Sequence, residues 1–228
     1  MKLSVVIPVL DEAAGIRSAL QHLQPLRAIG HEVILIDGGS RDATFELAEG
    51  FVDSRLRSKA GRAVQMNAGA RVARGEVLLF LHADTRLPVD AVTAIANGLP
   101  RSGRAWGRFD VRIDGEHRLL QVVACAMNLR SRLTSICTGD QTIFVRRDLF
   151  ERVGGFPQIE LMEDIALSRR LRGCSPPLAL REAVITSARR WEKRGVWRTI
   201  MLMWWLRLRF FFGASPAALR RAYDDEAK

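Results

Sequence analysis

Four short polar clusters hold the residue types from which chemistry could be built. His82-Ala83-Asp84-Thr85 follows an apolar run, which puts Asp84 at the tip of a buried strand with an imidazole nearby. A carboxylate so placed is a hard oxygen donor, suited to a Mg2+ or Mn2+ ion shared with phosphates. Its plainer role is a cap on a following helix, with Thr85 assisting. Asp37-Gly38-Gly39-Ser40 ends another apolar run, and glycines there either admit a ligand close to the backbone or simply turn the chain. Glu163-Asp164 follows Gly155-Phe156-Pro157. Acids in a first helical turn are favoured by the helix dipole, and one facing a substrate hydroxyl can serve as general base. Arg189-Arg190-Trp191 joins two guanidiniums to an indole, which suits an anion contact, a cation–π pair or a solvated face. Neither G-x-G-x-x-G nor the Gly-Lys-Ser/Thr of a P-loop occurs, so dinucleotide and P-loop chemistry are not indicated.

The elements that must position these clusters alternate. Residues 3–7, 32–36 and 76–81 are short apolar runs that read as interior strands of a parallel sheet. Helices are expected over 11–24, with Asp11 as N-cap and Ile16, Leu20 and Leu23 at helical spacing, and over 42–50, 61–73 and 88–99. Such alternation implies an α/β fold, with helices on both faces of a mostly parallel sheet. Ligands bind beyond the carboxyl ends of strands in sheets of this kind. Asp11-Glu12, the Asp37 cluster and the Asp84 cluster all fall at those ends, and that coincidence is the first functional argument. Further on, 106–113 reads as a strand of a second, partly antiparallel portion, 116–133 as a helix, and 141–145 as a short strand after Thr138-Gly139-Asp140. Helices are expected over 148–153 and 163–171, before the breaker Ser175-Pro176-Pro177.

Composition narrows the class. The chain has 228 residues, 48% of them hydrophobic and 26% charged, which excludes a disordered chain or a small disulfide scaffold. The formal net charge is +10, and 31 Arg against 4 Lys make it almost wholly guanidinium, a group that meets phosphate and carboxylate bidentately. The excess is uneven: residues 186–221 hold nine basic side chains and one acid, Glu192. Cys125, Cys137 and Cys174 are widely spaced, which reads as reduced, intracellular thiols rather than a zinc site. The apolar start contains Pro8 and ends in Asp11-Glu12, a strand rather than a signal peptide.

In order along the chain, these pieces resemble the family 2 glycosyltransferases of GT-A fold. Ser4 to Glu12 resembles that family's opening strand, Val33 to Thr44 its nucleotide-binding turn, and Gly61-Arg62 through Asn67-Ala68-Gly69 the helix before its metal strand. His82-Ala83-Asp84 stands in the place of the DxD motif. Gly139-Asp140-Gln141 resembles the acceptor-side segment, Glu163-Asp164 the late acidic pair, and Arg190-Trp191 the end of the Q/R-x-x-R-W element. The resemblance covers residues 2–192. The finer pattern is most similar to a small bacterial subgroup associated with radical-SAM/selenodomain proteins and arsenosugar biosynthesis. Three positions depart from the family: His82 replaces the first DxD acid, Gly38 replaces a second acid of the nucleotide turn, and Ser187 stands where Gln or Arg is expected.

The resemblance implies an inverting, metal-assisted transfer of sugar from a nucleotide-diphosphate donor, a UDP-sugar favoured, to an acceptor hydroxyl. It implies Asp164 as base beside Glu163, and Asp84 with His82 holding Mn2+ or Mg2+. Pro8, Asp11, Glu12, Asp37, Gly38, Arg62, Asn67, Ala83 and Arg190 fall on the donor side, with Arg189 a further guanidinium there. Gly139, Asp140, Gln141 and Trp191 fall on the acceptor side. The acceptor is left open between a lipid and a small molecule, and no nucleic-acid partner is expected. Three rival readings are a nucleotidyltransferase on a similar α/β sheet, which would need a basic Gly-rich loop where Pro8-Val9-Leu10-Asp11-Glu12 stands, a catalytically degenerate nucleotide-sugar-binding homologue, and a basic membrane- or nucleic-acid-binding module.

Residues 1–192 are read as the transferase domain and 193–228 as a helical appendage. Its apolar stretch, 196–212, would be about 25 Å long as a helix, short of a ~30 Å hydrocarbon core. At helical spacing Arg198 and Arg209 share one face and Arg207 lies opposite. Two arrangements fit: packing on the domain or on a second copy as a homodimer, or lying in the plane of an anionic membrane surface. The expected location is the cytoplasm, or peripherally the inner face of the cell membrane.

Overall fold

Side-chain alternation in the first strand sets the architecture. β1 (Leu3–Val9) turns Leu3, Val5, Ile7 and Val9 to one face and Val6 to the other, the period of two that a pleated strand imposes. Both faces are covered, so the sheet has a core on each side. The computed structural model describes residues 1–225, with backbone alone at Arg190 and Asp225.

From β1 the chain passes through α1 (Ile16–Gln21) and α2 (Gln24–Ala28) to β2 (Glu32–Asp37), then α3 (Thr44–Leu47), β3 (Ser54–Arg57), α4 (Arg62–Val72) and β4 (Val77–Phe80). Next come β5 (Thr85–Arg86), α5 (Ala91–Ser102), β6 (Trp106–Asp114) and α6 (Arg118–Thr134). A 3-10 turn (Gly139–Gln141) leads to β7 (Ile143–Arg146), α7 (Arg147–Arg152), α8 (Glu163–Cys174) and β8 (Leu178–Ser187). The described chain ends in α9 (Arg189–Arg194), α10 (Val196–Phe211) and α11 (Pro216–Asp225).

The sheet order is β3-β2-β1-β4-β7-β6-β8-β5. β1 runs parallel to β2 and β4, and β2 to β3. β7 enters antiparallel between β4 and β6, while β8 lies parallel to β6. Ile16, Leu20, Ile95, Leu99 and Leu120 fill one core beneath α1, α5 and α6. Ala63, Met66, Phe150, Leu167 and Leu171 fill the other beneath α4, α7 and α8. Every residue of β2 is buried, as its unbroken apolar run requires of a strand covered on both faces.

The expected α/β alternation holds, with corrections. The helix expected over 11–24 is a loop followed by two short helices, because Pro25 starts α2 anew. Asp11 is not an N-cap: it sits at φ 54° in the loop. The residues after Asp84 form β5, not a helix start, and α5 begins only after Asp90. β3 and β8 are additions to the sequence reading. β8 buries Leu180, Val184 and Thr186, but Arg181-Glu182 interrupts the apolar pattern between them.

The C-terminal helices fold back onto the start of α8. Leu202 and Leu206 of α10 and Leu219 of α11 form a third buried cluster with Met162 and Ile165. No helix among the described residues is long and apolar enough to cross a membrane.

Candidate active site

The carboxyl ends of β1 and β4, the start of α4, the 3-10 turn, the start of α8 and the C-terminal helices surround one cavity of about 750 Å3. Parallel strands point their carboxyl ends to the same edge, so the polar residues that follow them converge. Pro8, Glu12, Arg62, His82, Ala83, Asp84, Gly139, Asp140, Glu163 and Asp164 all line this cavity.

Asp84 is half-buried at its floor. Its carbonyl accepts the Ser187 N–H at 3.1 Å, which fixes the strand end against β8 at a residue that departs from the family pattern. Beside it, Nδ1 of His82 lies 3.5 Å from Oδ1 of Asp140. Trp191 backs the Asp84–Asp140 pair, lining a small void of about 20 Å3 behind them. No three His, Cys, Asp or Glu side chains among the described residues form a metal cage. The donor set is one carboxylate open to the cavity with an imidazole and a second carboxylate nearby. That set fits a hard cation which takes most of its oxygens from phosphate.

Asp164 stands in the first turn of α8, held by two backbone donors. Gly139 N–H reaches Oδ2 at 2.8 Å and Ile165 N–H reaches Oδ1 at 2.7 Å. Its neighbour Glu163 is buried. Desolvation, then the charge of Asp164, raises the Glu163 pKa, with Arg62 pulling the other way. Arg62 opens to the cavity, yet its guanidinium is crowded by protein. Desolvation would lower its pKa, but Glu163, Asp140 and Asp164 together raise it. The floor therefore holds a carboxylate fixed by hydrogen bonds, an acid biased toward its neutral form and a guanidinium held charged.

Other expected residues sit elsewhere. Asp37 is buried, and its carboxylate accepts the Ser40 N–H at 3.1 Å and the Ser40 hydroxyl. Asp11 accepts the Arg41 N–H at 2.7 Å. These bonds tie the loops after β1 and β2 together outside the cavity lining. Gly38 packs on Gln65, whose amide donates to the carbonyls of Val9 at 2.8 Å and Ile36 at 2.9 Å. A Cβ at Gly38 would stand 3.1 Å from that amide, which is the local reason for glycine where the family often has an acid. Asn67 pairs with both backbone groups of Phe156, at 2.8 and 3.0 Å. Gln141 is fully buried and donates to Ser131 Oγ at 3.0 Å. Both brace the scaffold rather than face the cavity, since their amides are consumed by protein partners. The Arg190 side chain lies outside the described part of the chain. Glu12 forms an ion pair with Arg189 at 3.0 Å, so the start and end of the fold meet at the cavity rim.

The cavity wall also includes residues that motif reading missed: Glu160, Arg194, Met203, Arg207, Arg220 and Tyr223. Only Arg207 carried a signal, its position opposite Arg198 and Arg209 on one helix.

A sheet of this order with a polar cavity across its strand ends is an α/β architecture of GT-A type, and comparison with known proteins agrees. The model for glycosyl transferase family 2 matches residues 4–154, and the chain belongs to that family. A PGL/p-HBAD biosynthesis glycosyltransferase of Mycobacterium bovis (strain BCG / Pasteur 1173P2) is 30% identical over 176 residues, 67% of this chain and 62% of that protein. The chain spans less than two thirds of the length of the first curated relatives it matches. The mannosyltransferase PcManGT from Pyrobaculum calidifontis, solved with GDP-Man and Mn2+, aligns at a TM-score of 0.67 and 20% identity over 97% of this chain and 68% of that one. S. aureus TarS 1-349, solved with UDP-GlcNAc, aligns at 0.67 and 18% identity over 82% of this chain and 58% of that one. At these identities the structural likeness is one of fold: both share the GT-A architecture.

Proposed function

We propose that the chain is an inverting glycosyltransferase that moves a sugar from a nucleoside diphosphate donor to an acceptor hydroxyl. The observation that carries this reading is that Asp84 and Asp164, from opposite ends of the fold, open on one cavity at the carboxyl edge of the sheet. The nucleotide sugars held by PcManGT and TarS support the donor class, with a UDP-sugar favoured. The finer likeness to the radical-SAM-associated subgroup rests on His82-Ala83-Asp84-Thr85, Gly139-Asp140-Gln141 and Ala188-Arg189-Arg190-Trp191, and is kept as part of the proposal.

Asp84, with His82 beside it, would hold a Mn2+ or Mg2+ ion, whose chemistry is to neutralise charge growing on the departing diphosphate. Arg62 adds a fixed positive charge on the same floor. Asp164 takes the proton from the acceptor hydroxyl as that oxygen attacks the anomeric carbon. Its hydrogen bonds from Gly139 and Ile165 hold it in place while leaving lone pairs for the hydroxyl. A single in-line displacement inverts the anomeric configuration. Trp191, behind Asp84 and Asp140, supports the acceptor side.

The test is a thermal-shift panel of UDP, GDP, CDP, ADP and dTDP, with and without Mn2+, on the parent and on Asp84→Ala. A nucleotide at about 100 times its Kd stabilises by ~2.7 kcal/mol, a shift of about 2–4 °C at this size. One nucleotide should act only with metal, and lose its effect in the variant. No response to any nucleotide would leave the basic binding module in its place.

A second reading concerns location. Trp197, Met201, Trp204, Leu208 and Phe211 form an exposed ridge along α10, with Arg198 and Arg209 on the same helix. Aromatics beside guanidiniums match an anionic lipid surface. The other face of α10 lines the cavity through Met203 and Arg207, so such a surface would lie one helix away from the acceptor side.

A further inference from the structure

Two arginines line the C-terminal wall of the cavity and a third lies within the field of one of them; two of the three have donors left unused. Arg207 of α10 and Arg194 of α9 line it. Arg130 of α6 has its Nε and Nη2 sealed from solvent with no hydrogen-bond partner among the described residues, and Nη1 of Arg194 is in the same condition. Withdrawing a guanidinium from water is costly unless an anion meets it.

The charges around them deepen the imbalance. Burial lowers the pKa of both Arg130 and Arg207, Arg130 to about 10, and in Arg130 the second cause is repulsion by Arg207. The opposing pull on Arg207 comes from Asp164 and Asp140. Asp164 already accepts the backbone N–H groups of Gly139 and Ile165, so it is not a dedicated counter-ion for them.

Building on the transferase reading, we infer that this wall binds an acidic group, a phosphate or a carboxylate, carried by the acceptor, with Arg207 and Arg194 as direct contacts and Arg130 as supporting charge. The acceptor is the source because α10 packs through Leu202 and Leu206 on Met162 and Ile165, which flank Asp164, the base of that reading. The carboxylates whose fields reach both Arg130 and Arg207 are Asp164 and Asp140, neither of them on the donor's metal strand. Asp84, which marks the donor's diphosphate, is not among the charges acting on Arg207. The acceptor class is thus a hydroxyl compound with an anionic group within reach of that hydroxyl. Arg207 and Arg194 fix its orientation; Asp164 alone moves a proton.

Inorganic phosphate is the probe, titrated into the full chain in thermal-shift and calorimetric experiments, alone and again with UDP and Mn2+ at saturation. Phosphate is expected to raise the Tm in both conditions. Arg207→Met should weaken phosphate binding by about tenfold or more. Without phosphate that variant should melt above the parent, because a guanidinium whose desolvation outweighs the pull of Asp164 and Asp140 has been replaced by an apolar chain. Arg207→Lys should retain part of the phosphate response. A phosphate response unchanged in Arg207→Met overturns the site. A response that vanishes when UDP and Mn2+ are bound overturns the acceptor as its source and gives these arginines to the donor. UDP with Mn2+ reads the transferase function separately. UDP binding without a phosphate response defeats this inference alone, whereas an Arg207-dependent phosphate response without UDP binding upholds the anion site and defeats the transferase reading.

Discussion

The imidazole of His82 lies against the backbone of Gly139 so closely that a Cβ there would stand 2.5 Å from both Cε1 and Nε2 of the ring. The same glycine donates its N–H to Asp164 at 2.8 Å. One residue without a side chain therefore joins the strand-end histidine to the carboxylate on α8. Gly139→Ala must displace the ring or the turn, and overpacking of this kind costs about 1–3 kcal/mol. The variant is expected to melt lower, and its transfer rate to fall by about tenfold or more through lost positioning of Asp164. Adding His82→Ala vacates the space, so the double variant should recover most of the lost stability, a coupling that a double-mutant cycle measures directly. No recovery would place the strain in the turn itself.

Asp164→Asn keeps the shape of the side chain and an oxygen for one backbone donor, but removes the base. Transfer should fall by about 10²–10⁴-fold, while the nucleotide-induced thermal shift stays at its parental size. Single-turnover kinetics with donor in excess separate the two effects. Transfer near the parental rate would remove Asp164 from the proton-transfer step.

Much of this arrangement is legible in the sequence, and the remainder fails for identifiable reasons. Buried apolar runs ending in Glu12 and Asp84 announce strands whose ends face one edge, and Glu163-Asp164 announces a helix start. Asp37, Asn67 and Gln141 are polar residues beside turns, a pattern that ligand contacts and loop braces share. Only the tertiary structure shows Asn67 occupied by Phe156 and Gln141 by Ser131. β8 pairs with β6 and β5, yet Arg181-Glu182 hides its alternation from any short window. The helical wheel separates Arg207 from Arg198 and Arg209, but not which of those faces packs. That is decided by Leu202 and Leu206 meeting Met162 and Ile165, contacts that no local pattern contains.

Glu163 gives the stability a sign with pH. Burial, then Asp164, raises its pKa above the ordinary 4.5. Between that value and the raised one, the folded protein holds a proton that the unfolded chain has released, so stability falls as pH rises through the window. Glu163→Gln has no charge to bury. It should melt close to the parent near pH ~4.5 and increasingly above it as the pH rises through that window. Melting curves across that range provide the check. A gap that closes with rising pH would mean that Arg62 outweighs burial and that the carboxylate is stabilising.

The ridge on α10 makes the location testable. Trp197, Met201, Trp204 and Leu208 recur at helical spacing and are all exposed, so they form one continuous face rather than scattered apolar residues. Arg209 stacks its guanidinium over the Trp205 ring, 4.9 Å from the centroid, at the edge of that face. Each arginine near an anionic leaflet contributes about 1 kcal/mol, and that part of the attraction is screened by salt. The full chain should sediment with phosphatidylglycerol-rich vesicles at low ionic strength, weakly with phosphatidylcholine vesicles, and be released as salt rises. Trp204→Glu should reduce sedimentation without lowering the Tm, because an exposed side chain leaves no cavity when replaced. Protein that ignores anionic vesicles at low salt, yet scatters light as twice the monomer mass until Trp204→Glu is introduced, would assign the ridge to a contact between two copies. The lipid surface would then have no claim on it, and the acceptor would be sought among soluble anionic compounds.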